Sequence, residues 1–143
     1  MFIGEYQHSL DEKGRLAIPA KFRDELKVGA VITRGLDNCL FLFTKMQWSQ
    51  LAEKLATLPL SHANSRAFAR LMLAGAMEVE LDGQGRILVP GFLRQYAKLG
   101  TSVVVAGLMN RLEVWDESQW KQYKEKAEGD STDIAEHMGS LGV

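Results

Sequence analysis

The chain carries one short segment twice. Residues 10–19 read LDEKGRLAIP and residues 81–90 read LDGQGRILVP, at an offset of 71 residues. Matching glycines, cations and a tryptophan follow both copies, and a single inserted residue changes the offset to 72. Such a register over so many positions indicates a duplicated unit of roughly 45 residues. A unit that small rarely buries enough apolar surface alone, so we expect the two copies to pack around one pseudo-twofold core.

Each copy has the pattern Asp-x-x-Gly-Arg, which is typical of a tight turn. Its residues are Asp11, Gly14 and Arg15 in the first copy, and Asp82, Gly85 and Arg86 in the second. The aspartate can accept a hydrogen bond from the backbone N–H two residues later. The glycine supplies a positive φ at the bulge position of a hairpin loop. We therefore expect a β-hairpin at each turn, with the arginine projecting from its base.

The rest of each copy predicts a helix and two further strands, so the order is β-β-α-β-β followed by a helix. Predicted strands lie at residues 3–10, 15–18, 31–33, 39–43, 77–81, 86–89, 102–107 and 111–115. Predicted helices lie at residues 19–26, 45–58, 61–74 and 90–99, with another starting at Asp116; the tail beyond Glu128 is expected to be loose until Ile134. The expected fold class is mainly β with peripheral helices (α+β). Its parts are a first repeat at 1–48, connecting helices at 49–74, a second repeat at 75–120, and a C-terminal helix with an acidic tail at 121–143.

Composition and charge restrict the class of protein. Net charge is −1, but residues 116–143 carry −4 and residues 1–115 carry +3, which leaves room for a local anion-binding face. The single cysteine, Cys39, is expected to be a small buried hydrophobe. The start of the chain lacks the features of a signal peptide, and no apolar run approaches the ~20 residues of a membrane span. We expect a cytosolic protein with no membrane association.

No catalytic constellation is recognisable. Two aspartates in related halves could suggest an aspartic-protease dyad, but each has an arginine four residues later, which favours the ionised carboxylate. The histidines, His8, His62 and His137, show no ligand spacing. We therefore predict no catalytic residues, no metal site and no cofactor.

The turn arginines are the strongest functional signal. In the simpler interpretation they form only local salt bridges with Asp11 and Asp82, which contribute little stability. In the functional interpretation the pseudo-twofold brings both hairpins together into one basic ridge that contacts DNA. The candidate contact residues are Lys13, Arg15, Lys21, Arg23, Arg86 and Arg94. A second basic line, His62, Arg66 and Arg70, is more typical of a solvated helix face.

The whole chain resembles the MraZ family of bacterial transcriptional regulators, relatives of the AbrB-type swapped-hairpin proteins. The resemblance rests on the opening MFIGEY, both Asp-x-x-Gly-Arg turns, the PAKFR helix start, the TRGLD run and the segment EVWD. It implies a pseudo-twofold swapped-hairpin β-barrel within one chain, and subunits that form a closed ring. It also implies binding to short direct repeats in double-stranded promoter DNA, upstream of the division and cell-wall gene cluster and of the protein's own gene. Such a protein would be cytoplasmic and nucleoid-associated.

The resemblance assigns the motif positions to Asp11, Arg15, Asp82 and Arg86. The second copy departs from the first by replacing Glu12-Lys13 with Gly83-Gln84, so the two turns are expected to contact DNA unequally. Two other classes remain open: a protein-interaction module that displays the hairpins to a protein partner, and a hydrolase that would lose activity on Asp11→Asn.

Overall fold

The computed structural model describes every residue from Met1 to Val143. Its strands are β1 (Phe2–Ser9), β2 (Arg15–Ala17), β3 (Ala30–Arg34), β4 (Leu40–Thr44), β5 (Met77–Val79), β6 (Arg86–Leu88), β7 (Ser102–Met109) and β8 (Leu112–Asp116). Its helices are α1 (Ala20–Leu26), α2 (Lys45–Ala56), α3 (Ala63–Ala69), α4 (Gly91–Tyr96), α5 (Glu117–Gly129) and α6 (Ser131–Met138). A π-helical turn, Arg70–Ala74, continues α3, and a 3₁₀ turn, Gly139–Leu141, follows α6. The predicted α+β class is confirmed.

The strands exchange partners between the two repeats. β1 pairs along its whole length with β7 of the second repeat, while β5 pairs with β3 of the first. Between β1 and β2 there is no ladder beyond an isolated bridge from Leu10 to Leu16, and β2 pairs with β6 instead, so the prediction that β1 and β2 form an ordinary hairpin is wrong. The pairs β3–β4 and β7–β8 form within their own repeats, as expected.

Two antiparallel sheets result. The larger has the order β1-β7-β8-β4-β3-β5, and the smaller is a ribbon of β2 and β6. The end strands β1 and β5 are not paired with each other, so the sheet does not close on itself by hydrogen bonding and the expected closed barrel is not seen. The ribbon takes one strand from each repeat, directly after each Asp-x-x-Gly turn.

One core serves both repeats. It contains 19 buried apolar residues, among them Leu16, Phe22 and their counterparts Ile87 and Leu93. All four are at most 1% exposed. Because these residues come from both copies, the ribbon and helices α1 and α4 are all anchored on the same apolar interior. This shared core agrees with the expected packing of the two copies.

The connecting helices cover a second apolar cluster of seven buried residues, including Cys39, Leu55 and Met72. Helix α2 begins at a capping box in which Thr44 and Gln47 each accept a backbone N–H of the other. Cys39 is fully buried, as expected, and burial raises the pKa of its thiol far above the ordinary value.

The C-terminal segment differs from its prediction. The segment beyond Glu128 is largely helical: α5 continues to Gly129, and α6 follows after one residue. Acidic Asp133 lies in the first turn of α6, where a negative charge stabilises a helix. Asp116 directly precedes α5, but its carboxylate accepts the N–H of Gly100 and makes no capping hydrogen bond to the helix. None of the helices combines the length and apolar character required to cross a bilayer.

Candidate nucleic-acid interface

The first turn is held by Asp11. One carboxylate oxygen accepts the backbone N–H groups of Lys13 at 3.0 Å and of Arg15 at 2.8 Å. The other oxygen accepts the side-chain Nε–H of Arg15 at 2.6 Å. Gly14 has φ +85°, as the turn pattern predicts. A single carboxylate therefore closes the turn and orients the arginine that follows it.

The second turn repeats this geometry. Asp82 accepts the backbone N–H groups of Gln84 and Arg86 at 2.8 and 2.9 Å, and the Arg86 Nε–H at 2.8 Å. Gly85 has φ +76°. The different residues between aspartate and glycine in the two copies therefore leave the hydrogen bonding unchanged.

Both aspartates are ionised at neutral pH. Hydrogen bonds from the backbone N–H groups of Arg15 and Arg86 are the main cause that lowers the pKa of Asp11 and Asp82 respectively, and the guanidinium groups lower it further. Each arginine donates its Nε–H to the carboxylate of its own turn. The terminal nitrogens of both guanidinium groups have no acceptor within the chain, so they remain available to an external anion or base edge.

The ribbon brings the two arginines onto one surface. Its register pairs Arg15 with Leu88, Leu16 with Ile87, and Ala17 with Arg86. The central pair is buried in the core, so the flanking pairs point outward on the other face. Arg15 and Arg86 are diagonal neighbours on this outward face, where such residues lie about 7–8 Å apart. We call this surface, formed by Arg15, Ala17, Arg86 and Leu88, the ribbon face.

The other predicted contact residues lie elsewhere. Lys13 is exposed within the first turn. Lys21 is on α1, with its ammonium 5.4 Å from the centre of the Tyr6 ring. Arg23 and Arg94, on α1 and α4, pack against the turn glycines, and Arg23 donates to the carbonyl of Ile18 at 2.8 Å. Of the six predicted contact residues, only Arg15 and Arg86 therefore lie on the ribbon face.

One member of the ribbon face was missed from the sequence. Leu88 is 57% exposed and lies directly opposite Arg15. The signal was present, because strict alternation along β6 places residues 86 and 88 on the same side. The second basic line remains on the surface around α3, where Arg66 donates to the carbonyl of Leu60 at 2.9 Å.

Comparison with known proteins shows which family the chain belongs to. A family model described as "MraZ protein, putative antitoxin-like" matches the chain twice, over residues 1–71 and 72–140. Relatives named "Transcriptional regulator MraZ" cover the whole of both chains. The protein from Moorella thermoacetica is 51% identical, that from Acetivibrio thermocellus 50%, and that from Halothermothrix orenii 49%. The chain belongs to the MraZ family.

Proposed function

We propose that this protein is a DNA-binding transcriptional regulator whose ribbon face contacts double-stranded DNA. The observation that carries the proposal is the pair Arg15 and Arg86, which share one outward face with their terminal nitrogens unpaired. A two-stranded ribbon fits the major groove of B-DNA. Arginine's fork suits both guanine edges and phosphates, so the same two side chains can supply affinity and sequence preference.

The first turn should contribute more than the second. Both turns hold their arginine in the same way, but Lys13 of the first turn is replaced by Gln84 in the second. An extra cation beside Arg15 strengthens attraction to the phosphate backbone. Lys13 therefore belongs to the proposed contact surface, and loss of Arg15 should cost at least as much affinity as loss of Arg86.

The proposed targets are short direct repeats upstream of the division and cell-wall gene cluster, including the protein's own promoter. These targets rest on the family resemblance, and the names of the relatives support only the broader role of a transcriptional regulator. We propose a cytoplasmic location, in association with the nucleoid. No part of this role requires a catalytic residue, a metal or a cofactor.

We further propose that the chains, each with a swapped-hairpin exchange between its own two repeats, assemble into a homo-oligomeric closed ring. A single chain offers few cations, so its DNA binding would be weak and sensitive to salt. Linking several subunits makes later contacts intramolecular and raises the overall affinity. Head-to-tail contacts in a cyclic assembly suit tandem sites in one orientation, whereas a dyad dimer favours palindromes.

A gel-shift and salt titration on the DNA upstream of the protein's own gene tests the proposal. Wild-type protein should bind this duplex more tightly than a random duplex, with affinity that falls steeply as salt rises. Arg15→Ala should abolish the shift and Arg86→Ala should weaken it, while circular dichroism and oligomer size stay unchanged. Lys54→Ala, at an exposed cation on α2, is the matched control and should bind normally. Unchanged binding by both arginine variants would contradict the proposal, and equal binding to random duplex would favour a protein-interaction module instead.

A further inference from the structure

Arg23 and Arg94 occupy equivalent positions in the two repeats, and each contacts the turn of the opposite repeat. A Cβ atom added at Gly85 would lie 2.5 Å from Cζ of Arg23. A Cβ atom added at Gly14 would lie 2.8 Å from Cζ of Arg94. Each guanidinium therefore lies directly over the α-carbon of a turn glycine that belongs to the other copy.

Backbone hydrogen bonds reinforce these junctions. The N–H of Ile18 donates to the carbonyl of Gly85 at 3.0 Å, and the N–H of Val89 donates to the carbonyl of Gly14 at 2.8 Å. Arg23 Nε–H then donates to the carbonyl of Ile18 at 2.8 Å. Strand end, turn glycine and arginine thus form one hydrogen-bonded unit that spans the two repeats.

The two junctions are not identical. Nε of Arg94 is buried but has no hydrogen-bond partner, whereas its counterpart in Arg23 is satisfied. A buried N–H without an acceptor carries a desolvation penalty, so the junction at Gly14 is held less tightly than the junction at Gly85. The less tightly held junction is the one at the turn that precedes Arg15.

We propose that Arg23 and Arg94 are positioning residues for DNA recognition. Arg23 stabilises the Gly85 turn and thereby positions Arg86. Arg94 stabilises the Gly14 turn and thereby positions Arg15. Neither guanidinium contacts DNA itself. The inference rests on the proposed function, and it changes the role of two cations that the sequence alone placed in the DNA contact surface.

A double-mutant cycle with salt titration tests this assignment. Arg23→Met keeps the aliphatic stem but removes the donor and the charge. It should weaken binding to the upstream duplex by about tenfold, the range typical of coupled neighbours. The slope of affinity against salt should stay unchanged, because no phosphate contact is lost, whereas loss of a direct phosphate contact lowers the slope by about one.

The cycle also identifies the partner. The cycle is measured at low salt, where attraction to the phosphate backbone is strongest and the Arg15→Ala variant retains measurable binding. Arg23→Met should have little further effect in an Arg86→Ala background and its full effect in an Arg15→Ala background. Arg94→Met should show the reverse pattern. Three outcomes would each overturn the proposal. They are coupling of Arg23 to Arg15 of its own repeat, additive effects of Arg23→Met with both ribbon arginines, and a salt slope lower by one.

The chain supplies matched controls in the same clefts. Lys27 lies one helical turn beyond Arg23 in the cleft at the Gly85 turn, and Lys98 is its counterpart near the Gly14 turn. Lys27→Met and Lys98→Met remove exposed cations that do not contact a turn glycine. Neither substitution should therefore show coupling to Arg15 or Arg86.

Hydrogen exchange on the free protein separates the failure of this inference from the failure of the proposed function. Arg23→Met should speed exchange of the Gly85 and Arg86 amides, and Lys27→Met should not. If exchange becomes faster but the protein does not bind the upstream duplex, the contact of Arg23 with the turn is supported and the proposed DNA-binding function is wrong. Unchanged exchange together with normal DNA binding would overturn the brace while the proposed function stands.

Discussion

Arg15 and Arg86 lie diagonally across the buried pair Leu16–Ile87 of one two-stranded ribbon, and each is anchored through Nε to the aspartate of its own turn. The strands are antiparallel, so the two turns lie at opposite ends of the ribbon. At each end, the carbonyl of one turn's glycine accepts a backbone N–H from the other repeat. The two arginines are therefore placed by contacts that both copies of the sequence supply.

Replacing Asp11 separates turn closure from arginine anchoring. In Asp11→Asn the amide oxygen can still accept the N–H groups of Lys13 and Arg15, but the amide nitrogen cannot accept the Nε–H of Arg15. We expect a thermal midpoint close to wild type and weaker binding to the upstream duplex. Asp11→Ala removes both functions and should lower the midpoint as well. Wild-type affinity in the asparagine variant would show that the anchor is dispensable; gel shift and thermal denaturation measure the two effects.

The turn glycines should tolerate no side chain. Gly14→Ala and Gly85→Ala each combine a positive φ, which costs about 1–2 kcal/mol for an L-residue, with a close approach to an arginine of the other repeat. Both should lower the free energy of unfolding by at least that amount in chemical denaturation. Gly83 is the control within the same turn, because a Cβ there meets nothing within 4 Å. Equal destabilisation by Gly83→Ala would argue against this explanation.

His8 should make stability depend on pH. Burial lowers the pKa of His8 below its ordinary value of 6.5, and the charge of Arg23 lowers it further. The unfolded state then binds the proton more readily, so stability is fully present above about pH 7 and falls as the pH drops through 6.5 towards the folded-state value. Thermal midpoints at pH 7.5 and 5.5 should differ less in His8→Gln than in wild type. The pKa of His8 can be followed by NMR in Arg23→Met, where loss of the positive charge should raise it. An unchanged pKa would contradict the proximity of the two charges.

Thr33 should be important for attaching the connecting helices. Its hydroxyl is fully buried and donates to the carbonyl of Met72 in the π-helical turn at 2.7 Å. Thr33→Val keeps the shape but leaves that carbonyl without its donor, which should cost about 1–3 kcal/mol. Thr33→Ser keeps the donor and loses one methyl group, about 0.8 kcal/mol. Chemical denaturation should rank serine above valine, and the opposite order would assign the effect to packing.

Sequence reasoning was most accurate where the interactions are short in range. The aspartate at each turn and the positive φ of Gly14 and Gly85 depend on interactions between residues at most four positions apart. It was wrong for the pairing of β1 and for the tail beyond Glu128. Arg23 and Arg94, which the sequence grouped with the ribbon arginines as candidate DNA contacts, pack against the turn glycines of the opposite repeat.

The sequence by itself therefore determined the duplicated unit, its two Asp-x-x-Gly-Arg turns and the ionised aspartates that orient Arg15 and Arg86. Only the tertiary structure decided that β1 pairs with β7, that β2 pairs with β6, and that each turn is braced from the opposite repeat. The physical reason lies in the duplication. Both copies present nearly the same apolar pattern, so either could complete the other's strands. The choice depends on burying Leu16 and Ile87 in one shared core, which no single repeat contains.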